Sequence, residues 1–187
     1  MGRSWPYLVL LLPPLFWAGN FIVGRAFSAE LGAITMSFYR WLLALCLLAP
    51  FAYSRVRQEL PIILNHLPIL TALALLSVAS FNVLLYLGLR DTEATNALLI
   101  NSSIPVWIVL FGVLFYNDSL TLRRGLGILV SLLGVSFLIF SGQSQGLTVN
   151  PGDLWVISSS IGWALYSLTL RKKPSGLSGL GFLAYIV

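Results

Sequence analysis

The chemistry-bearing side chains of this sequence are polar groups set inside long apolar runs. Trp17, Asn20 and Gly24 fall at i, i+3 and i+7, one face of a helix. Asn20 brings both donors and an acceptor to that face. Such a stripe either lines a cavity for a polar solute or makes an interhelical hydrogen bond with the aromatic as packing, and spacing alone leaves both open. Asn96, Ser103 and Trp107 share a second face at i, i+7 and i+11. Asn101 lies between them, and Pro105 has no amide hydrogen to give to the Asn101 carbonyl. This dense polar patch reads as cavity lining, which Asn82 and Tyr86, one turn apart, would complete. Arg40 stands about two turns inside its apolar run. A guanidinium there can anchor an anion, tie helices together or reach back to the interface. Pro13 and Pro14 release the carbonyls of Val9 and Leu10 and favour a kink. Gly127, Ser131 and Gly134 form a small-residue ridge of the kind that lets helices approach closely.

What the sequence lacks narrows the field. Cys46 is the only cysteine and His66 the only histidine, so an intrachain disulfide, a cysteine metal site and a Ser–His relay are excluded. No metal, no cofactor and no enzymatic reaction are expected. Glu30, Glu59, Asp91, Glu93, Asp118 and Asp153 all fall at the ends of apolar runs or between them. A buried acid for proton coupling is therefore not visible in this sequence.

The elements that position these residues follow from composition. Of 187 residues, 58% are hydrophobic and 9% charged, against about 25% charged in a soluble domain. Mean hydropathy is +0.90. Too little polar surface remains to coat a water-soluble globule, so lipid must face the apolar side chains. Spans of about 20 residues are predicted at 6–27, 33–53, 66–89, 94–116, 125–142 and 153–170, with a seventh starting near 177. The fold class is an all-α membrane protein, a multi-helix bundle. Pro13-Pro14 and the lack of a small-x-small site make the first run a membrane helix rather than a signal peptide. The formal charge of +5 sits in the breaks, where it signals topology and not a nucleic-acid partner. Arg3, Arg55, Arg57, Arg123, Arg124, Arg171, Lys172 and Lys173, or 8 of the 11 basic residues, share one side if the helices alternate. That side is the cytoplasm, with the N-terminus on it, and the loop at 143–152 faces outside.

An internal echo accompanies this topology. Trp17, Arg25 and Tyr39 recur as Trp163, Arg171 and Tyr185, each 146 positions later. Five helices separate the copies, so they run in opposite directions, as in the inverted repeats of secondary transporters.

Several motifs carry a family resemblance. Leu15-Phe16-Trp17-Ala18-Gly19-Asn20-Phe21, then Phe38-Tyr39-Arg40 with Leu42-Leu43-Ala44, resemble the first two helices of EamA-type transporters of the drug/metabolite transporter superfamily. Tyr86 to Leu89 with Thr92, Ala94 and Ala97, then Pro105, then Gly127, Leu129 and Gly134-Val135, are similar to the third, fourth and fifth. Asp118 stands where the family commonly has Glu, and the resemblance favours a structural or gating role for Arg40 over direct substrate contact. The resemblance implies one complete five-helix unit at 6–142, the loop at 143–152, and the start of an inverted second unit at 153–187. Members have ten helices, so the chain is read as truncated. It further implies a secondary transporter in the cell (inner) membrane, exporting small polar metabolites such as amino acids by alternating access. Its partners would be the lipid bilayer and a small-molecule substrate, with a homodimer as the assembly left open. A small-multidrug-type cation exporter, which relies on a first-helix Glu absent here, and a non-transporting assembly protein are the alternatives.

Overall fold

The computed structural model describes residues 7, 9–142 and 150–187. Arg3 and positions 143–149 of the predicted outer loop lie outside the described residues. The bundle is all-α: α1 (Leu12–Leu31), α2 (Ala33–Asn65), α3 (Leu67–Asp91), α4 (Ala94–Tyr116), α5 (Leu122–Gly142), α6 (Pro151–Thr169) and α7 (Gly179–Ile186). Among the described residues α2, α3 and α4 are each long and apolar enough by length and composition to cross a membrane.

Breaks between helices are set by a few residues. Gly32 alone separates α1 from α2, at φ 75°, a conformation a side chain disfavours. Asn117 closes α4 at φ 54°, where asparagine is the most tolerant residue after glycine, and the Asp118 amide returns to the Gly112 carbonyl at 3.0 Å. Pro13 and Pro14 stand in the first turn of α1, directly after the turn at Leu10 and Leu11 that follows helical backbone at Tyr7 and Val9.

One boundary departs from expectation. The second helix runs through Pro50, Arg55, Arg57 and Pro61 to Asn65, 33 residues in place of the predicted 33–53. At 1.5 Å per residue it is about 50 Å long, beyond the roughly 30 Å hydrocarbon core. Its far end is held by tertiary burial. Ile63 packs with Leu70 and Leu73 of α3 and with Leu177, Phe182 and Ile186 around α7, and the Ser178 hydroxyl donates to Glu59 at 3.1 Å. That apolar contact outweighs the local charge signal.

The main core joins α1, α2, α3, α4 and α6 through Phe21, Met36, Phe81, Leu85, Tyr86, Leu89, Ala97 and Val156. α6 lies mainly against α3 and the second half of α4. The α3–α6 crossing is close because glycines meet there. A Cβ on Gly152 would stand 2.6 Å from the Gly88 carbonyl oxygen. The glycine ridge expected to do this work on α5 does not. Nothing lies within 4 Å of where a Cβ on Gly127 or Gly134 would be, and α5 touches chiefly the first half of α4. A ridge needs a facing partner, and the described residues provide none.

Candidate functional site

Asn20, Arg40 and Tyr86 converge from three helices. Arg40 Nη1 donates to both Asn20 Oδ1 and Tyr86 Oη, and the Tyr86 hydroxyl donates to Asn20 Oδ1 at 2.8 Å. The amide oxygen thus uses both lone pairs, and the donor directions are mutually consistent. Tyr86 is fully buried, whereas Asn20 and Arg40 are half-buried. The guanidinium carbon also lies 4.8 Å from the Trp41 ring centre and 5.9 Å from that of Tyr86, within cation–π range. Gly24 makes room: a Cβ there would stand 2.9 Å from Tyr86 Cε1. The Trp17–Asn20–Gly24 stripe therefore faces α3.

One turn before Asn20, an aromatic cluster continues the same face. Trp17 meets Trp163 edge-on at 5.2 Å, Phe81 lies 5.9 Å from Trp17 and 4.7 Å from Trp163, and Tyr166 follows at 5.0 Å from Trp163. Trp163 belongs to this site. The 146-residue echo pointed to it, but nothing in the local spacing showed that the two copies touch.

The fourth helix distributes its polar residues differently from the expected patch. It breaks at Ser102–Ser103, where the Ser103 amide turns back to the Ile100 carbonyl at 3.0 Å and Pro105 starts the second half. Trp107 Nε1 donates to Ser103 Oγ at 3.1 Å, so this pair holds together. Asn96 does not join it. Its amide donates to Asp153 Oδ1 at 2.8 Å and to Thr92 Oγ1 at 3.2 Å, docking the N-terminus of α6. The break interrupts the helical register between positions 96 and 103, and the Asp153 carboxylate is the stronger acceptor. Asn101 is buried against α6 and accepts from Ser160 Oγ at 3.4 Å, with its amide nitrogen unpartnered. Asn82 turns onto its own helix. Its amide nitrogen reaches the Ser77 and Val78 carbonyls at 3.2 Å each, beside the π-helical turn Leu75–Ser80, and so it does not complete a site with Tyr86.

α6 is fastened at both ends. At its start, Asn150 and Asp153 form a reciprocal cap, and Thr92 donates to Asp153 Oδ1 at 2.6 Å. Nearby, Arg25 Nη1 donates to the carbonyls of Leu89 and Arg90 at 2.6 Å each. Beyond its end, Arg171 grips Asp118 with two parallel bonds of 3.0 and 2.7 Å. Sequence spacing gave no sign of that pair. A groove of about 470 Å³ opens beside it, lined by Phe115, Tyr116, Leu165, Leu168, Thr169 and Lys172.

The Arg171 hydrogen bonds hold the Asp118 carboxyl below its ordinary value of 3.8. A lowered carboxylate pKa stabilises the fold above the unfolded value, and that contribution disappears as pH falls through the lowered one. Asp118→Asn should therefore reduce the thermal midpoint slightly at neutral pH, because the pair is partly exposed and screened. The gap to the parent protein should close as pH drops below 3.8. A gap independent of pH would mean that the ion pair contributes nothing and that packing is responsible.

Fold and site together define a multi-pass helical membrane protein with a polar network inside its apolar bundle. The chain belongs to the EamA-like transporter family, which residues 4–140 match. It is similar to an uncharacterized transporter of Archaeoglobus fulgidus, 29% identical over 172 residues, covering 91% of this chain and 58% of that one. An uncharacterized transporter of Methanothermobacter thermautotrophicus is 26% identical over 180 residues, covering 88% and 52%. The S-adenosylmethionine uptake transporter of Rickettsia bellii is 23% identical over 190 residues, covering 100% and 62%. The chain thus spans somewhat more than half the length of these relatives, all of which are named transporters and not enzymes. No solved structure matches it.

Proposed function

We propose that the chain forms the substrate-holding part of a secondary transporter that exports small polar metabolites, such as amino acids, across the cell membrane by alternating access. The carrying observation is the Asn20–Arg40–Tyr86 network, a charged and hydrogen-bonded cluster drawn from three helices inside an apolar bundle. Intramembrane groups of this kind mark solute pathways by default. Two further features support the reading. Trp17 and Trp163, related by the 146-residue echo, touch one another, as equivalent residues can when they flank a pseudo-twofold axis. Arg25 and Arg171, related by the same echo, fasten opposite ends of the bundle, as inverted copies should. The basic residues favour a cytoplasmic N-terminus.

The test is counterflow in proteoliposomes loaded with an unlabelled pool of L-amino acids, with labelled pool outside. Saturable accumulation is expected. Tyr86→Phe removes the hydroxyl that Arg40 holds. Loss of a hydrogen bond to a charged group costs about 1.5–3 kcal/mol, so uptake should fall about tenfold or more. No accumulation above protein-free liposomes would overturn the reading. Oriented vesicles then decide direction, because net inward movement in cells would replace export with uptake.

A further inference from the structure

We propose that Arg40 and Asn20 form the subsite for a carboxylate on the transported solute, an inference that rests on the transporter reading above. Arg40 has five N–H donors, yet both of its hydrogen bonds leave from Nη1. Nη2 and Nε make none among the described residues. Its partners, an amide oxygen, a phenol and two aromatic faces, are all neutral. The six acids are placed elsewhere. Asp118 is paired with Arg171, Asp153 with Thr92 and Asn96, and Glu59 with Ser178, while Glu30, Asp91 and Glu93 are exposed at helix ends. Arg40 is thus a cation within the bundle with no counter-charge among the described residues.

The remaining polar group points to the same ligand. Asn20 has committed its oxygen to Arg40 and Tyr86, which leaves its amide nitrogen without a hydrogen bond among the described residues. The open valences of the site are therefore all donors. A guanidinium fork matches two carboxylate oxygens in one plane, and the amide adds a third donor. A single positive charge balances one carboxylate. Tyr86 and Asn20 hold Nη1 from one side, which orients the fork before any ligand arrives. The same chemistry would accept a lipid phosphate. Arg40 lies seven residues, about 10 Å, along α2 from Ala33, and its guanidinium is held inward by Asn20 and Tyr86 instead of reaching back to the helix end. That inward setting favours the solute carboxylate as the occupant.

The experiment is a tryptophan-fluorescence titration of the purified chain in phosphate-free detergent, since Trp17 and Trp41 flank the site. The probes are an equimolar pool of alanine, threonine, leucine and methionine, and the same four as carboxamides. The acids should saturate the signal at concentrations at least about tenfold below the amides, because a site built for a charged group discriminates against its neutral isostere. Arg40→Gln should abolish that preference, and Arg40→Lys, which keeps charge without the fork, should retain part of it. Gel filtration and helical content establish that each variant is folded. Equal response to acids and amides in the parent protein, or a preference that survives in Arg40→Gln, would overturn the inference. So would phosphatidylglycerol that produces the same signal and blocks the acids, because the anion would then be lipid. If neither pool gives a signal while counterflow persists, the carboxylate subsite falls and the transporter stands. If counterflow is absent too, both fall.

Discussion

Alanine at Gly152 is expected to push α6 off α3 and to destabilise the bundle by about 1–3 kcal/mol, the usual cost of forcing added carbon into a packed core. The new Cβ would stand 2.6 Å from the Gly88 carbonyl oxygen and 2.9 Å from the Thr92 amide nitrogen. Both are backbone atoms, so no rotamer change relieves the clash and the helices must separate. Gly88→Ala meets the same surface from the other side, 2.6 Å from Val156 Cγ2 and 2.7 Å from the Gly152 carbonyl. Separation would loosen the packing of Leu85, Leu89 and Val156, and with it the seat of Tyr86. Gly162→Ala is the control on the same helix, because nothing lies within 4 Å of its added carbon. Thermal unfolding in detergent should show a lowered midpoint for Gly152→Ala and Gly88→Ala and almost none for Gly162→Ala. Equal tolerance at all three positions would mean that α3 and α6 do not cross at these glycines.

The glycines show where sequence legibility ended. The helices themselves were legible, because hydropathy and interfacial charge are local properties and each predicted run corresponds to a helix. α2 overran its predicted end because burial against α7 is not local. A small-residue ridge on α5 can be read from one helix, but whether it packs depends on a second surface. Gly88 has Thr92 at i+4 and Gly152 has Ser159 at i+7, but the fit of the two glycines arises only when their separate helices meet. The same distinction divides the polar residues. Asn20 and Arg40 are legible in the sequence because a polar group in an apolar run is conspicuous wherever it points. Asn96 was equally conspicuous, yet its destination was set by Asp153, 57 positions away. Regular helical spacing puts Asn82 beside Tyr86, whereas the π-helical turn next to it gives its amide nitrogen two carbonyls of its own helix.

Aspartate at Asn20 should separate stability from function in opposite directions. The two side chains are nearly the same size, and Asn20 Oδ1 already receives hydrogen bonds from Arg40 and Tyr86. A carboxylate there would give the guanidinium its missing counter-charge at a geometry already formed. Removing a charge's partner inside a protein is strongly destabilising, and supplying one where none existed works in the opposite sense. Strengthening hydrogen bonds to a charged group is worth about 1.5–3 kcal/mol, so the variant should melt at a higher temperature. It should also bind or exchange amino acids about a hundredfold less well, since the built-in carboxylate neutralises the fork and repels the solute's own. Asn20→Ala is the contrast, losing the acceptor for both donors and with it stability and exchange together. An Asn20→Asp protein that melts lower yet exchanges normally would mean that Arg40 already has its counter-charge, and that its role is to hold α1, α2 and α3 together.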